Sequence, residues 1–324
     1  MPSRIYTNNV SRSREETGMP TQPTIAVFSL WLLFPAAASA VWEVAESPHF
    51  RVYFRAGTVA PAPIVQHAEE FYAEMHRLTR GMPNAKIDIR ICHTQADFQA
   101  AVHAPIQDWA VGCAFPRQRR IFIQNPTHLA LAKLQLAQVL RHEIAHVLFW
   151  QYTQKASADI PLWFVEGIAI YLAKEWVPSR HETLLSRIFS NTLMPLSELA
   201  REFPTAQGDA DLAYAQSQDA LRWLVEVKGS ETLWALVEHL HAGHPFHTAF
   251  EDTVGWDVAT FDARWRASLP ERYQWMALFS NVYLFWGGIG GLALLSYLFC
   301  RQRRRKHLKK LAEQEQEIDA FFEA

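Results

Sequence analysis

An excess of charge of either sign is missing from this chain. Its 324 residues carry 31 Lys and Arg against 33 Asp and Glu, a net charge of −2, so the overall balance gives no pull toward nucleic acid. No internal repeat runs through it. Cysteine is scarce, with only Cys92, Cys113 and Cys300. Cys92 and Cys113 fall in the part read below as exported, where an oxidising compartment permits a pair and geometry decides whether they bridge.

Charge is absent altogether from two stretches. The first is "IAVFSLWLLF", residues 25–34, followed by "PAAASA" to Ala40. It is too short to span a bilayer, and Ala38-Ser39-Ala40 has the small-x-small form of a signal-peptidase site. Residues 1–40 therefore read as a signal peptide cut after Ala40, with Met19 a possible start and an uncleaved anchor as the other reading. The second stretch, Tyr273 to Cys300, contains no charged residue and leads into "RQRRRKHLKK", residues 301–310. About 20 apolar residues cross the hydrocarbon core as a helix, aromatic side chains gather at its borders, and a basic flank stays inside. The pattern predicts a transmembrane helix over 273–300, with Tyr273, Trp275, Tyr283 and Trp286 at one end and Tyr297 near the other. A basic cytoplasmic tail over 301–324 follows. The expected product is a single-pass protein of the cell membrane, in contact with the lipid bilayer, whose catalytic part faces the periplasm or exterior.

What remains, at 49% hydrophobic and 20% charged residues overall, is ordinary globular composition. Residues 41–126 read as mixed: alternating strands at 49–56 and 86–92, another strand at 119–125, a helix over 64–81 and a short helix capped by Thr94. Residues 127–272 read as almost wholly helical, punctuated by prolines and Gly229. The fold class expected is α+β, with a small mixed N-terminal sheet, a helical C-terminal part and the membrane helix.

The chemistry sits in "VLRHEIAHVLF", residues 139–149. His142 and His146 are four apart, so on a helix they share one face, and two imidazoles at that spacing can reach one zinc ion. Glu143, beside His142, can reach water on such a metal, which completes the H-E-x-x-H pattern. Leu140, Ile144, Ala145, Val147 and Leu148 surround the polar trio, which argues against a merely solvated helix face. Downstream, "PLWFVEGIAIYLA", residues 161–173, is an apolar helix with one charge, Glu166. A lone carboxylate there needs a metal or a cation such as Arg141. Gly167 beside it permits close approach of another backbone. Three protein ligands plus water make an open zinc site. The histidines of "HLHAGHPFH", residues 239–247, lack a Cys or acidic residue at ligand spacing and read as a helix end and loop.

With those two helices in view, the chain resembles the gluzincin zinc metallopeptidases, specifically the bacterial peptidase MA-like family with its thermolysin-like zincin fold, from about residue 86 to 269. The resemblance implies Zn2+ held by His142, His146 and Glu166, with Glu143 as general base. Tyr214, opening "YAQSQDALRWLVEVKG" downstream of the third ligand, is the candidate oxyanion stabiliser; a half-buried core tyrosine is the other reading. Asp219 and Arg222 stand further along as neighbours of the centre or a surface pair. The strand at 119–124 is expected to border the cleft and pair with an extended substrate. The function implied is hydrolysis of peptide or protein substrates in the cell envelope. A tethered binding or assembly protein with a structural zinc, and a zinc hydrolase of non-protein substrates, stay open as alternatives.

Overall fold

The computed structural model describes residues 42–55, 60–79, 81, 85–103, 107, 110–125, 133–156, 160–280 and 282–323. The expected signal peptide, residues 1–40, lies outside them.

Five strands form one sheet: β1 (Glu43–Glu46), β2 (Phe50–Phe54), β3 (Ile87–Cys92), β4 (Gly112–Phe115) and β5 (Arg120–Gln124). Their order is β1-β2-β3-β5-β4. The outer pairs β1–β2 and β4–β5 are antiparallel, while β2–β3 and β3–β5 are parallel. Alternation along each strand divides the side chains between two faces. Phe50, Val52, Ile87, Ile89, Ile91, Ile121 and Ile123 join the main core with α1 (Pro61–Leu78) and α3 (Lys133–Thr153). Cys92 and Phe122 point the other way, onto Phe98 and Val102 of α2 (Gln95–Val102). The expected Thr94 cap is present: its hydroxyl accepts the Asp97 N–H at 3.1 Å. Pro61 and Pro63 open α1, because a helix start has no use for their missing N–H.

The remaining helices are α4 (Leu162–Ala173), α5 (Pro178–Ser190), α6 (Gln207–Lys228), α7 (Ser230–Ala242), α8 (Phe246–Val254), α9 (Val258–Ser280) and α10 (Val282–Glu323). Trp163 is their aromatic hub, stacked on Phe261 at 5.9 Å and edge-on to Phe246 and Phe250. A Cβ on Gly167 would stand 2.7 Å from the Ser217 carbonyl oxygen, so glycine there sets the spacing of α4 and α6.

Two expectations fail here. The expected class is α+β with a small mixed N-terminal sheet, a helical C-terminal part and a membrane helix; the chain is mostly helical with a small sheet and lacks that membrane helix among the described residues. Among the described residues no helix is long and apolar enough to cross a membrane. The single-pass placement at the cell membrane is overturned with it. The physical reason is that the uncharged run is shared between two helices. Its first residues continue α9 through Pro270, and Tyr273 is 3% exposed, its hydroxyl donating to Asp219 at 2.5 Å. Only from Val282 does α10 begin, and the same helix carries the basic block and the acidic tail.

Cys92 and Cys113 are unbridged. They lie on β3 and β4 with β5 between them, Cys92 level with Gln124 and Cys113 with Phe122, so two strand spacings alone put them roughly 9–10 Å apart or more, beyond the reach of a disulfide. Burial pushes both thiols up to about 12, with Glu143 adding to the effect on Cys113.

Candidate metal centre

α3 and α4 run past each other in opposite directions. Gln138 donates to the Lys174 carbonyl at one end of the pair, Arg141 to the Leu172 carbonyl in the middle, and Phe149 meets Phe164 beyond. That register brings Glu166 of α4 over the His142–His146 face of α3. The two Nε2 atoms are 3.0 Å apart. Glu166 Oε2 stands 3.5 Å from the first and 3.4 Å from the second. Zinc bonds of about 2.0–2.1 Å in a tetrahedron separate the ligand atoms by roughly 3.3 Å, so this triangle is nearly the base of such a site. Among the described residues it is the group whose donor atoms could hold a metal ion. Arg141, the alternative partner for Glu166, is engaged elsewhere, with Glu74 at 2.6 Å and over the Phe71 ring.

The donors fit zinc on a further observation. Glu166 Oε2 is buried and accepts no hydrogen bond, although an unpaired buried carboxylate oxygen is costly. Burial drives the Glu166 pKa up, yet His146 and His142 outweigh it and hold the carboxyl well below the ordinary range. Burial pulls His142 down, but Glu166 and Glu175 outweigh it and push it up to about 10. The centre thus favours positive charge between its two imidazoles and the carboxylate. A proton satisfies that demand in part, and a divalent cation satisfies it more fully.

Glu143 is buried at 8% exposure. Burial raises its pKa; the two histidines oppose the rise and the carboxylates Glu166 and Glu175 add to it. Its side chain lies against β4, where a Cβ on Gly112 would fall 2.6 Å from Oε1. Strand β4 lacks a side chain at the point where the carboxylate needs room. Tyr214 sits on α6, its ring edge-on to Phe203 at 5.1 Å and covered by the Arg180 guanidinium at 4.5 Å. Burial, then the charge of Glu166, holds its hydroxyl protonated, with Glu143 and Glu175 contributing. The tyrosine therefore stands within the field of the same carboxylates.

Sequence reasoning missed Gly112, Glu175 and Arg180. Glu175 follows α4 through Lys174, which takes the left-handed conformation (φ 53°) and turns the chain back, with the Glu175 N–H bonded to the Ile170 carbonyl. Its carboxylate then meets Nδ1 of His142 at 2.9 Å and Arg180 at 2.7 Å. The one signal for it was a charge at the close of an apolar helix. Asp219 and Arg222 are not a surface pair: Asp219 is 3% exposed, bonded by Arg222, and ties α6 to α9 through Trp265, Arg272 and Tyr273. Of the histidines at 239–247, His241 stacks on Tyr152 at 4.1 Å and bonds its carbonyl at 2.8 Å. The strand at 119–124 is interior, with β3 and β4 on its two edges. The edge strand next to Glu143 is β4.

Two imidazoles from one helix, a carboxylate from the next and a second glutamate beside them form the arrangement of a H-E-x-x-H-plus-glutamate metal hydrolase. The family model of the Peptidase MA superfamily matches residues 67–271, and the chain belongs to that superfamily. Among solved structures it is similar to an M1 zinc metallopeptidase from Deinococcus radiodurans, with 15% identity and a TM-score of 0.41 over 70% of this chain and 51% of that one. It is similar also to a mutant of that protein bound to a Tyr-Ser-Ala substrate, with 14% identity and a TM-score of 0.40 over 69% and 51%. The chain spans about half the length of these structures. Among curated proteins none matches it.

Proposed function

We propose that this protein is a zinc-dependent metallopeptidase. The observation that carries the reading is the buried triangle of His142 Nε2, His146 Nε2 and Glu166 Oε2, whose edges of 3.0–3.5 Å suit zinc. Membership of the superfamily supports it. His142, His146 and Glu166 would hold the ion. Zinc, when bound, supplies Lewis acidity toward a substrate carbonyl and toward water.

The rest falls to the chain's own groups. Glu143, buried and with its pKa raised, takes the proton of the attacking water and returns it to the leaving amine. Tyr214, kept protonated, donates its O–H to the oxyanion that develops on the carbonyl. Gly112 leaves Glu143 the space to turn between these tasks. Among the described residues β4 has β5 on one side and no strand on the other. An extended peptide adding to that free edge would lie along Glu143, held by main-chain hydrogen bonds. A base beside the metal ligands favours hydrolysis over a structural zinc, because a binding module has no use for it.

The direct test is cleavage of a broad peptide library by zinc-loaded protein, with Glu143→Gln alongside. Cleavage by wild type, reduced about 10²–10⁴-fold in the variant while zinc is retained, is expected. Zinc-loaded wild type that cleaves nothing counts against the reading.

A further inference from the structure

We propose that Glu175 and Arg180 are positioning residues of the metal centre: Glu175 fixes the ring of His142 from behind, and Arg180 fixes Glu175. The proposal rests on the zinc reading above. The Glu175 Oε2 atom is 2.9 Å from His142 Nδ1, the nitrogen that faces away from the ligand triangle. The contact is an ion pair and not an aligned hydrogen bond; a small turn of the ring lets the carboxylate accept the Nδ1–H, which leaves the lone pair on Nε2, the tautomer a metal requires. The other oxygen, Oε1, receives Arg180 Nη1 at 2.7 Å.

Neither side chain is a loose surface group. Glu175 is 14% exposed and Arg180 is 17% exposed. The main chain of Glu175 is pinned on both sides, its N–H on the Ile170 carbonyl at 3.1 Å and its own carbonyl on Gln218 Nε2 at 2.8 Å. Arg180 lies over the Tyr214 ring, its guanidinium carbon 4.5 Å from the centroid, with Nε 3.5 Å from Asp211. Four elements thus converge on one chain of contacts: His142 on α3, Glu175 after α4, Arg180 on α5 and Tyr214 on α6. Glu175 is not a fourth ligand, since it meets the outer nitrogen and lies outside the triangle. A planar guanidinium suits this double task, gripping a carboxylate in its plane and presenting its face to a ring.

The test measures zinc affinity of the full chain at one fixed pH, by competition with a chromophoric chelator. Glu175→Gln is expected to weaken zinc about 10–100-fold, the scale found when a partner behind a ligating histidine is removed. Arg180→Met should weaken it about 3–10-fold, the scale of one charge-assisted hydrogen bond acting through another group. Arg180→Lys should recover part of that loss. The double variant should lose no more than Glu175→Gln alone, because Arg180 acts through Glu175. Tyr214→Phe, which keeps the ring under Arg180, should leave the affinity unchanged. With cobalt(II) in place of zinc, the visible absorption should shift in Glu175→Gln as the His142 ring turns. A salt bridge that merely staples the turn after α4 would lower thermal stability and leave that spectrum alone.

Wild-type affinity and an unchanged cobalt spectrum in Glu175→Gln would overturn the proposal, as would losses in the two single variants that add in the double. If Arg180→Met does not fold, Arg180→Lys carries the same comparison. Wild type that takes up no zinc removes the metallopeptidase reading itself, and this proposal with it. Wild type that binds zinc no better than the variants removes this proposal alone.

Discussion

Glu166 is the single carboxylate on α4, and it stands between two histidines that come from the preceding helix. Replacing it with alanine removes one donor of three. Zinc content, measured by mass spectrometry, is expected to fall from about one per chain toward none, since open zinc sites use three protein ligands. Gly112 offers a subtler test. A methyl group there would stand 2.6 Å from Glu143 Oε1, so Gly112→Ala should displace the carboxylate by a fraction of an ångström to an ångström. Peptide cleavage is expected to drop about 100-fold with zinc content unchanged, a misplacement cost rather than a metal cost. An alanine variant cleaving at the wild-type rate would show that Glu143 does not depend on the strand. The His142–His146–Glu166 cluster was legible in the sequence because helical spacing puts His142 and His146 on one face and because Glu166 is alone among apolar residues. Gly112, Glu175 and Arg180 were not, because they meet the centre only through space, across a left-handed turn and an edge strand.

At the scale of elements, two contacts set the helices around the centre. Gly167 lets α4 lie against the Ser217 carbonyl, and a Cβ would approach that oxygen to 2.7 Å. Gly167→Ala should destabilise the fold by about 1–3 kcal/mol in urea unfolding, as overpacking does. Asp219 anchors α9: Trp265, Arg272 and Tyr273 all donate to it. Its removal leaves Arg222 and Arg272 to share Glu226 and leaves the buried Trp265 and Tyr273 donors unanswered, and Asp219→Ala should cost about 3 kcal/mol by the same measurement. That anchor explains why α9 continues past Pro270, and why Tyr273 belongs to the protein core and not to a membrane border. Strand β3 was readable from alternation of Ile with Asp and Arg, and β5 from its short apolar run Ile121-Phe122-Ile123. β1 and β4 were not, because "EVAE" is mostly exposed and "GCAF" is half-buried throughout. Edge strands of that kind are defined by main-chain pairing more than by a hydrophobic pattern.

Across the whole molecule, the sheet and α3 hold one wall of the centre, while α4 to α6 hold the other. Ion pairs tie α1 to both walls, Glu69 to His49 beside β2 and Glu74 to Arg141 of α3 and Lys174 after α4. Burial raises the Glu69 and Glu74 carboxyls, but bonds from His49 and Ser47 to the first, and from Arg141 and Lys174 to the second, outweigh it and lower both. Groups with depressed folded-state values stabilise fully above their ordinary 4.5 and lose that contribution as the pH falls through the lowered values. The thermal midpoint should therefore fall as the pH drops below about 4.5, and Glu69→Gln should flatten that fall. The measurement that bears most directly on the account joins metal to chemistry. Zinc content and peptide cleavage are determined on the same preparations of wild type, Glu166→Ala and Glu143→Gln. The account predicts zinc and cleavage in wild type, neither in Glu166→Ala, and zinc without cleavage in Glu143→Gln. Cleavage that survives in Glu143→Gln, or wild type that holds zinc and cleaves no peptide, would contradict it.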